Sequence, residues 1–271
     1  KFLFTTTMWR SVDATVRINL ETGEVQRCAP PTENNSLSLL DFDDHSILVV
    51  ESNPVLPYKI LYGEFDSSFQ VKEWIVVEDS MKHLSESTRK TLESLEWHIK
   101  PMTANDGLVY EYFVIKQKDQ EQDKSSKYDY FITKVHGGPH SVYTVQFAYS
   151  HAFFASQGYT CIIPNYRGSL GFGQDFVEAL PKHVGEVDVQ DCYNATIDAI
   201  QSFGNKDKEP IVTVSGGSHG GFLTCSLLAR YPDFYTTGVA INAVTNIATM
   251  STVTDIPDWC YAEVLNEEHH A

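Results

Sequence analysis

Over about the first 75 residues, apolar and polar positions alternate in short runs broken by turns, the period-two signature of half-buried strands. Strands are predicted at Phe2 to Trp9, Thr15 to Leu20 and Val25 to Cys28, the last two joined by the turn Glu21-Thr22-Gly23-Glu24. A second set follows at Leu37 to Leu40, Ser46 to Val50 and Tyr58 to Tyr62, interrupted by the turn Asp41-Phe42-Asp43-Asp44 and by a proline-containing break. So few short strands cannot close a barrel. The region therefore reads as a small antiparallel sheet or as the last piece of a repeated structure such as a propeller, although no period is visible. Residues 76 to 100 read as a connector.

The pattern then changes. Strands are predicted at Val109 to Lys116 and Tyr128 to Val135, around a polar loop at 117 to 127. Helices and strands alternate from there: a helix at about Val145 to Gln157, a strand at Tyr159 to Pro164, a helix at Val187 to Phe203. The strand Ile211 to Ser215, a helix from His219 to Arg230 and the strand Gly238 to Asn242 complete the series. Buried strands joined through helices imply a mostly parallel sheet covered on both faces, so the second part is an α/β domain.

Composition narrows the field. The chain has 271 residues, 42% hydrophobic and 21% charged, enough to bury a full core. A net charge of −16 argues against a broad basic face, so neither nucleic acid nor a membrane surface is expected as a partner. Cys28, Cys161, Cys192, Cys225 and Cys260 are far apart, with no zinc-ligand spacing, and read as free thiols in a reducing, cytoplasmic compartment. No segment approaches the about 18 apolar residues that span a bilayer. The sequons at Asn34 and Asn194 do not change that reading.

Candidate chemistry concentrates at Ser218. The segment Ile211-Val212-Thr213-Val214-Ser215-Gly216-Gly217-Ser218-His219-Gly220-Gly221-Phe222 is a β-branched strand, a glycine-framed serine and a helix start, the context that Gly-x-Ser-x-Gly requires of a nucleophile elbow. Glycines before and after the serine let strand and helix approach closely, while the helix aims unpaired N–H groups at the serine oxygen. A plain glycine turn or a dinucleotide loop competes with this reading. Against the latter, Gly-x-Gly-x-x-Gly is not matched in the turn. The sequence His136-Gly137-Gly138-Pro139-His140 places a second glycine loop at a strand end, of the type that supplies one oxyanion donor, the other being the backbone N–H of His219.

These segments, with Pro164-Asn165-Tyr166-Arg167-Gly168-Ser169-Leu170-Gly171-Phe172-Gly173-Gln174-Asp175 and Thr254-Asp255-Ile256-Pro257-Asp258-Trp259-Cys260, resemble the prolyl oligopeptidase family of serine peptidases, and within it the acylaminoacyl peptidase branch. The resemblance is densest from about 128 to 263. It implies an α/β-hydrolase fold, incomplete at its C-terminus, preceded by antiparallel strands that resemble the end of a β-propeller. Residues 1–75 are then the C-terminal portion of the propeller, and 76–271 the hydrolase domain with its connector. Carried over by motif, Ser218 is the nucleophile, and Gly138 and His219 offer the oxyanion N–H groups.

The family's triad Asp and His follow the serine at a distance, and here neither is found. Asp255 and Asp258 belong to another family segment, with Asp258 expected in a loop, and His269 and His270 lie in a polar terminus. His136, His140, His151 and His183 precede the serine and break the family order. The chain is thus expected to be a fragment truncated before the triad Asp and His, and to show essentially no Ser218-dependent turnover alone. Arg167 is a candidate for orienting a peptide carbonyl, with a loop-packing salt bridge as the competing role. Phe172, Trp259 and Tyr261 are candidates for lining an acyl pocket, with plain packing equally open.

The implied reaction is hydrolysis of the bond after an N-acylated, typically N-acetylated, first residue of a short peptide through a Ser218 acyl-enzyme, with no cofactor and no metal. Short N-acylated peptides are the expected substrates, and a second copy or a complementary C-terminal piece the expected partner. A general carboxylesterase and a non-catalytic interaction fragment stay open as alternatives.

Overall fold

The computed structural model describes residues 1–29, 32–118 and 125–265. Among them two antiparallel sheets precede a larger mixed one. The first is the meander β1 (Phe2–Trp9), β2 (Val12–Asn19) and β3 (Val25–Arg27); the second is the four-stranded meander β4 (Ser36–Phe42), β5 (Ser46–Asn53), β6 (Leu56–Phe65) and β7 (Val71–Asp79). Strand β7, which the sequence analysis missed, carries the antiparallel region past residue 75. Its burial is shallow, and Ile75, Val76 and Val77 are all exposed, so no clean alternation marks it. Phe4, Leu37, Ile47, Val49, Leu61 and Phe65 form the core shared by these two sheets.

The expected connector is ordered. A 3-10 turn at Ser80–His83 leads to α1 (Glu86–Glu93), whose cap is the Ser85 hydroxyl accepting from the Thr88 amide at 3.1 Å. Strand β8 (Leu95–Thr103) follows at the edge of the third sheet, where the N–H that Pro101 lacks is tolerated.

The third sheet also contains β9 (Val109–Gln117), β10 (Tyr128–Val135), β11 (Tyr159–Asn165), β12 (Glu209–Gly217) and β13 (Thr237–Ile241), in the order β13-β12-β10-β11-β9-β8. Pairs β13/β12, β12/β10 and β10/β11 are parallel; β11/β9 and β9/β8 are antiparallel. Helix α2 (Tyr149–Ser156) begins later than expected because Val145 sits in a bend tied to the first sheet, its amide donating to the Ser11 carbonyl at 2.8 Å. Next come α3 (Gln174–Glu178), which the sequence analysis missed, α4 (Val187–Phe203), α5 (His219–Arg230), α6 (Ile247–Val253) and α7 (Pro257–Leu265).

Alternation along the central strands sorts their side chains onto two faces. Tyr112, Val114, Phe131 and Ile162 pack with Val189, Cys192 and Leu223 of α4 and α5, whereas Phe113, Ile115, Ile132 and Ile163 pack with Ala152 and Ala155 of α2. Each such fully buried branched or aromatic side chain contributes about 1.5–3 kcal/mol relative to exposure. The tip between β1 and β2 inserts into the part built on the third sheet. Ser11 is fully buried there, its amide donating to Glu111 at 3.2 Å and its hydroxyl accepting from the Asn165 amide group at 3.1 Å.

One expectation needs correction. Asp258 is not in a loop: it lies in the first turn of α7, which Pro257 opens with its fixed φ. His269 and His270 lie outside the described residues.

Candidate active site

Strand register brings the two glycine loops together. In the parallel pair β10/β12, Val135 stands opposite Gly216, so His136-Gly137-Gly138 and Gly217-Ser218 leave neighbouring strands side by side at their carboxyl ends. A Cβ placed on Gly137 would lie 3.0 Å from the Gly217 carbonyl oxygen and 3.3 Å from Ser218 Cβ. The turn at 137–138 therefore runs directly against the serine.

Ser218 has φ +57° and ψ −122°, a conformation that costs a non-glycine residue about 1–3 kcal/mol. Its surroundings impose it. The Ser218 amide donates to the Ile241 carbonyl at 2.9 Å, and its own carbonyl accepts from the amides of Gly221 and Phe222 at 2.9 and 3.1 Å. Strand and helix meet so closely that a Cβ on Gly216 would lie 2.5 Å from the Gly220 carbonyl oxygen, and one on Gly220 would overlap the Val135 carbonyl. Ser218 itself is exposed.

Helix α5 starts immediately after it. His219 is the first helical residue, so its N–H has no partner within the helix and points with the dipole toward the serine end. The His219 side chain turns inward, with Nε2 2.9 Å from Asp188 Oδ2, and Asp188 is fixed in turn by the amides of Gly185 and Val189. Gly138 has φ +128° and its position would seat a Cβ 2.8 Å from the His140 amide nitrogen, so this turn fits glycine alone. His136 anchors the loop: it is buried, stacks on Tyr166 with ring centroids 4.2 Å apart, and its Nε2 is 2.8 Å from the Ser169 hydroxyl. Burial pushes its pKa down to about 4, as it does for His151. Among the described residues no histidine side chain hydrogen-bonds the Ser218 hydroxyl.

Beside the serine is a cavity of about 190 Å³ whose walls include Pro139, His219, Phe222, Val244, Trp259 and Glu263. Trp259 thus lines this cavity, and Tyr261 is not among the lining residues. Phe172 is elsewhere, its ring 4.9 Å from Phe176 and packed on the main core. Arg167 is committed to structure. Nε and Nη2 bind the two oxygens of Asp191, both at 2.8 Å, and Nη1 binds Asp106 at 2.7 Å. Burial opposes its charge, yet these carboxylates outweigh burial and raise its pKa.

Glu263 and Asp188 are the site residues that sequence reasoning missed. Glu263 follows Trp259 by one helical turn, a spacing that becomes readable once Pro257 is taken as a helix start. Among the described residues no group of three His, Cys, Asp or Glu is placed to hold a metal, and no helix is long and apolar enough to cross a membrane.

Comparison with known proteins decides the family. Residues 145–270 match the model of the prolyl oligopeptidase family, and residues 1–90 that of the acylamino-acid-releasing enzyme N-terminal domain. The C-terminal segment, residues 145–270, belongs to the prolyl oligopeptidase family. Among its relatives in this family, an acylamino-acid-releasing enzyme of Arabidopsis thaliana is 38% identical over 281 residues, covering 99% of this chain and 36% of that protein. Its counterpart from Homo sapiens is 32% identical, covering 91% of this chain and 33% of that one. The chain thus spans about a third of the length of the curated relatives it matches. An acylaminoacyl peptidase of Pyrococcus horikoshii superposes with a TM-score of 0.77 at 22% identity, over 97% of this chain and 39% of that one. The shared fold makes the six-stranded sheet with α2 to α5 an α/β-hydrolase core.

Proposed function

We propose that this chain carries the nucleophile, the oxyanion site and the acyl pocket of a serine peptidase that releases an N-acylated amino acid from the N-terminus of short peptides. The observation that carries the reading is the exposed Ser218 at φ +57°, with α5 beginning behind it and Gly137 against its Cβ. The printed names of the relatives, acylamino-acid-releasing enzymes, support the same reaction.

In the proposed reaction the Ser218 oxygen attacks the carbonyl of the acylated first residue as a general base takes its proton. The base is not assigned, and no triad Asp or His is found among the described residues. Negative charge then develops on the carbonyl oxygen, where the N–H groups of His219 and Gly138 stabilise it in a site whose donors are fixed beforehand by helix and turn. The C–N bond breaks, the shortened peptide leaves with the proton, and water hydrolyses the ester to regenerate Ser218. The acyl group or the first side chain occupies the cavity beside Trp259 and Phe222.

The antiparallel meanders are read as the C-terminal part of a propeller, with the hydrolase domain beginning at the connector that follows. Five free cysteines favour a cytoplasmic protein. The free edge of β13, where Val239 and Ile241 are each 53% exposed, is the proposed pairing site for a complementary C-terminal piece.

The test is turnover of an acetyl-amino-acid p-nitroanilide by the whole protein and its Ser218→Ala variant, with fluorophosphonate labelling mapped to the modified residue. A loss of about 10⁴-fold or more is expected, with the label on Ser218. Undiminished turnover by the variant would refute the nucleophile. Equal turnover of the unacylated amide would refute the substrate class, and preference for simple esters would favour a carboxylesterase.

A further inference from the structure

His140 stands two residues beyond Gly138, on the far side of Pro139, and its imidazole links two other parts of the site. Nδ1 is 2.7 Å from the Gly168 carbonyl oxygen and Nε2 is 3.1 Å from Glu263 Oε2 on α7. A carbonyl oxygen can only accept, so Nδ1 carries a proton. An ionised carboxylate can only accept as well, so Nε2 needs a proton too. The Glu263 side chain is only 9% exposed, and Oε2 is sealed from solvent with no well-aligned hydrogen-bond donor among the described residues, the imidazole at 3.1 Å being its ion-pair neighbour. The contact thus exists only while a second proton lies between the two side chains. Without it, a bare nitrogen lone pair faces a bare carboxylate in a poorly solvated site, and loop and helix repel.

We propose that His140 and Glu263 are a positioning pair for the acyl-transfer reaction, a proton-held clasp that fixes the Gly137-Gly138 turn against the pocket wall formed by α7. The proposal rests on the oxyanion role given to Gly138 above. Pro139 and Glu263 line the same cavity, so the clasp ties together two of its walls. The close contact with Glu263 is the main influence on His140 and raises its pKa above the ordinary 6.5. Stabilisation of this sign is complete below the free imidazole value and is lost as pH rises through the raised value. The other groups facing the pair do not replace its proton. Buried Tyr166, which lies near Glu263, has a pKa driven far up by burial; His136 is neutral; His219 is engaged by Asp188 across the cavity; Lys182 presents its amide to the Glu263 carbonyl at 3.4 Å.

The test is a pH series of kcat and KM on acetyl-amino-acid p-nitroanilide for the whole protein and its His140→Ala, Glu263→Gln and Ser218→Ala variants. His140→Ala is expected to lower kcat about tenfold to a hundredfold with little change in KM, because the oxyanion exists only in the transition state. Glu263→Gln is the diagnostic variant, since its amide can donate to a neutral Nε2 and hold the clasp without the second proton. It is expected to move the alkaline fall of kcat upward by about one pH unit or more, an effect that simple packing would not produce. Wild-type kcat in His140→Ala, or an unmoved alkaline limb in Glu263→Gln, would overturn the clasp. If His140→Ala does not fold, the nearly isosteric Glu263→Gln decides alone. Retained turnover in Ser218→Ala would instead overturn the underlying functional reading, so the two failures are told apart.

Discussion

The antiparallel region over β1–β7 and the α/β region over β8–β13 draw on the same apolar residues and differ in where their strands end. In a meander each strand starts where its neighbour finishes, so loops are divided between two edges and no edge collects more than a few turns. In the four parallel strands β13, β12, β10 and β11, all carboxyl ends share one edge, and the loops at His136 to His140, Tyr166 to Gly173 and Gly217 to Ser218 gather there. The candidate site, drawn from distant sequence, therefore forms in the second region and not in the first. The first region meets the second through the buried Ser11 and through Arg10, whose amide donates to the Gly171 carbonyl at 2.9 Å.

Three substitutions sharpen this contrast, beginning with the largest effect. Asp191→Ala leaves the Arg167 guanidinium buried beside one remaining carboxylate, Asp106, and should destabilise the α/β region by about 3–5 kcal/mol in denaturant titration. A cost near zero would show that Arg167 is free to serve substrate. Leu37→Ala opens a void in the antiparallel core and should cost about 2–5 kcal/mol there, with the rate of Ser218 labelling unchanged while the protein remains folded. Slower labelling in that folded protein would mean that the two regions are mechanically coupled. Arg10→Ala removes an ion pair to Glu111 at 3.3 Å, but the arginine side chain is 54% exposed, so about 0–1 kcal/mol is expected and thermal unfolding should hardly shift.

Legibility in the sequence followed how local each signal was. The boundaries of α4 and α5 and of β10 could be read from periodicity, glycine placement and β-branched runs, because each element is long and presents one buried face or two. Strands β7 and β8 and helix α1 could not. The first exposes apolar residues on a surface, the second contains Pro101, and the third is short and its apolar content small, so each departs from the pattern that marks its class. Loop chemistry divides in the same way. Ser218, His219 and Gly138 could be singled out from sequence because the roles proposed for them depend on backbone conformation set by adjacent residues. Arg167, left open between substrate and salt bridge, is resolved by Asp191 and Asp106, and Phe172 is drawn from the mouth by Phe176.

By itself the sequence determined the strained serine turn, the glycine loop that borders it and the alternation that makes the second region α/β, since all three rest on steric and capping rules acting over a few residues. Tertiary structure alone decided which charged side chains face each other. Register sets Gly137 against Ser218, and chain paths set His140 against Glu263 and His219 against Asp188. Such pairs join residues far apart along the chain, and their energies depend on burial and distance, quantities that come into existence only when the elements pack.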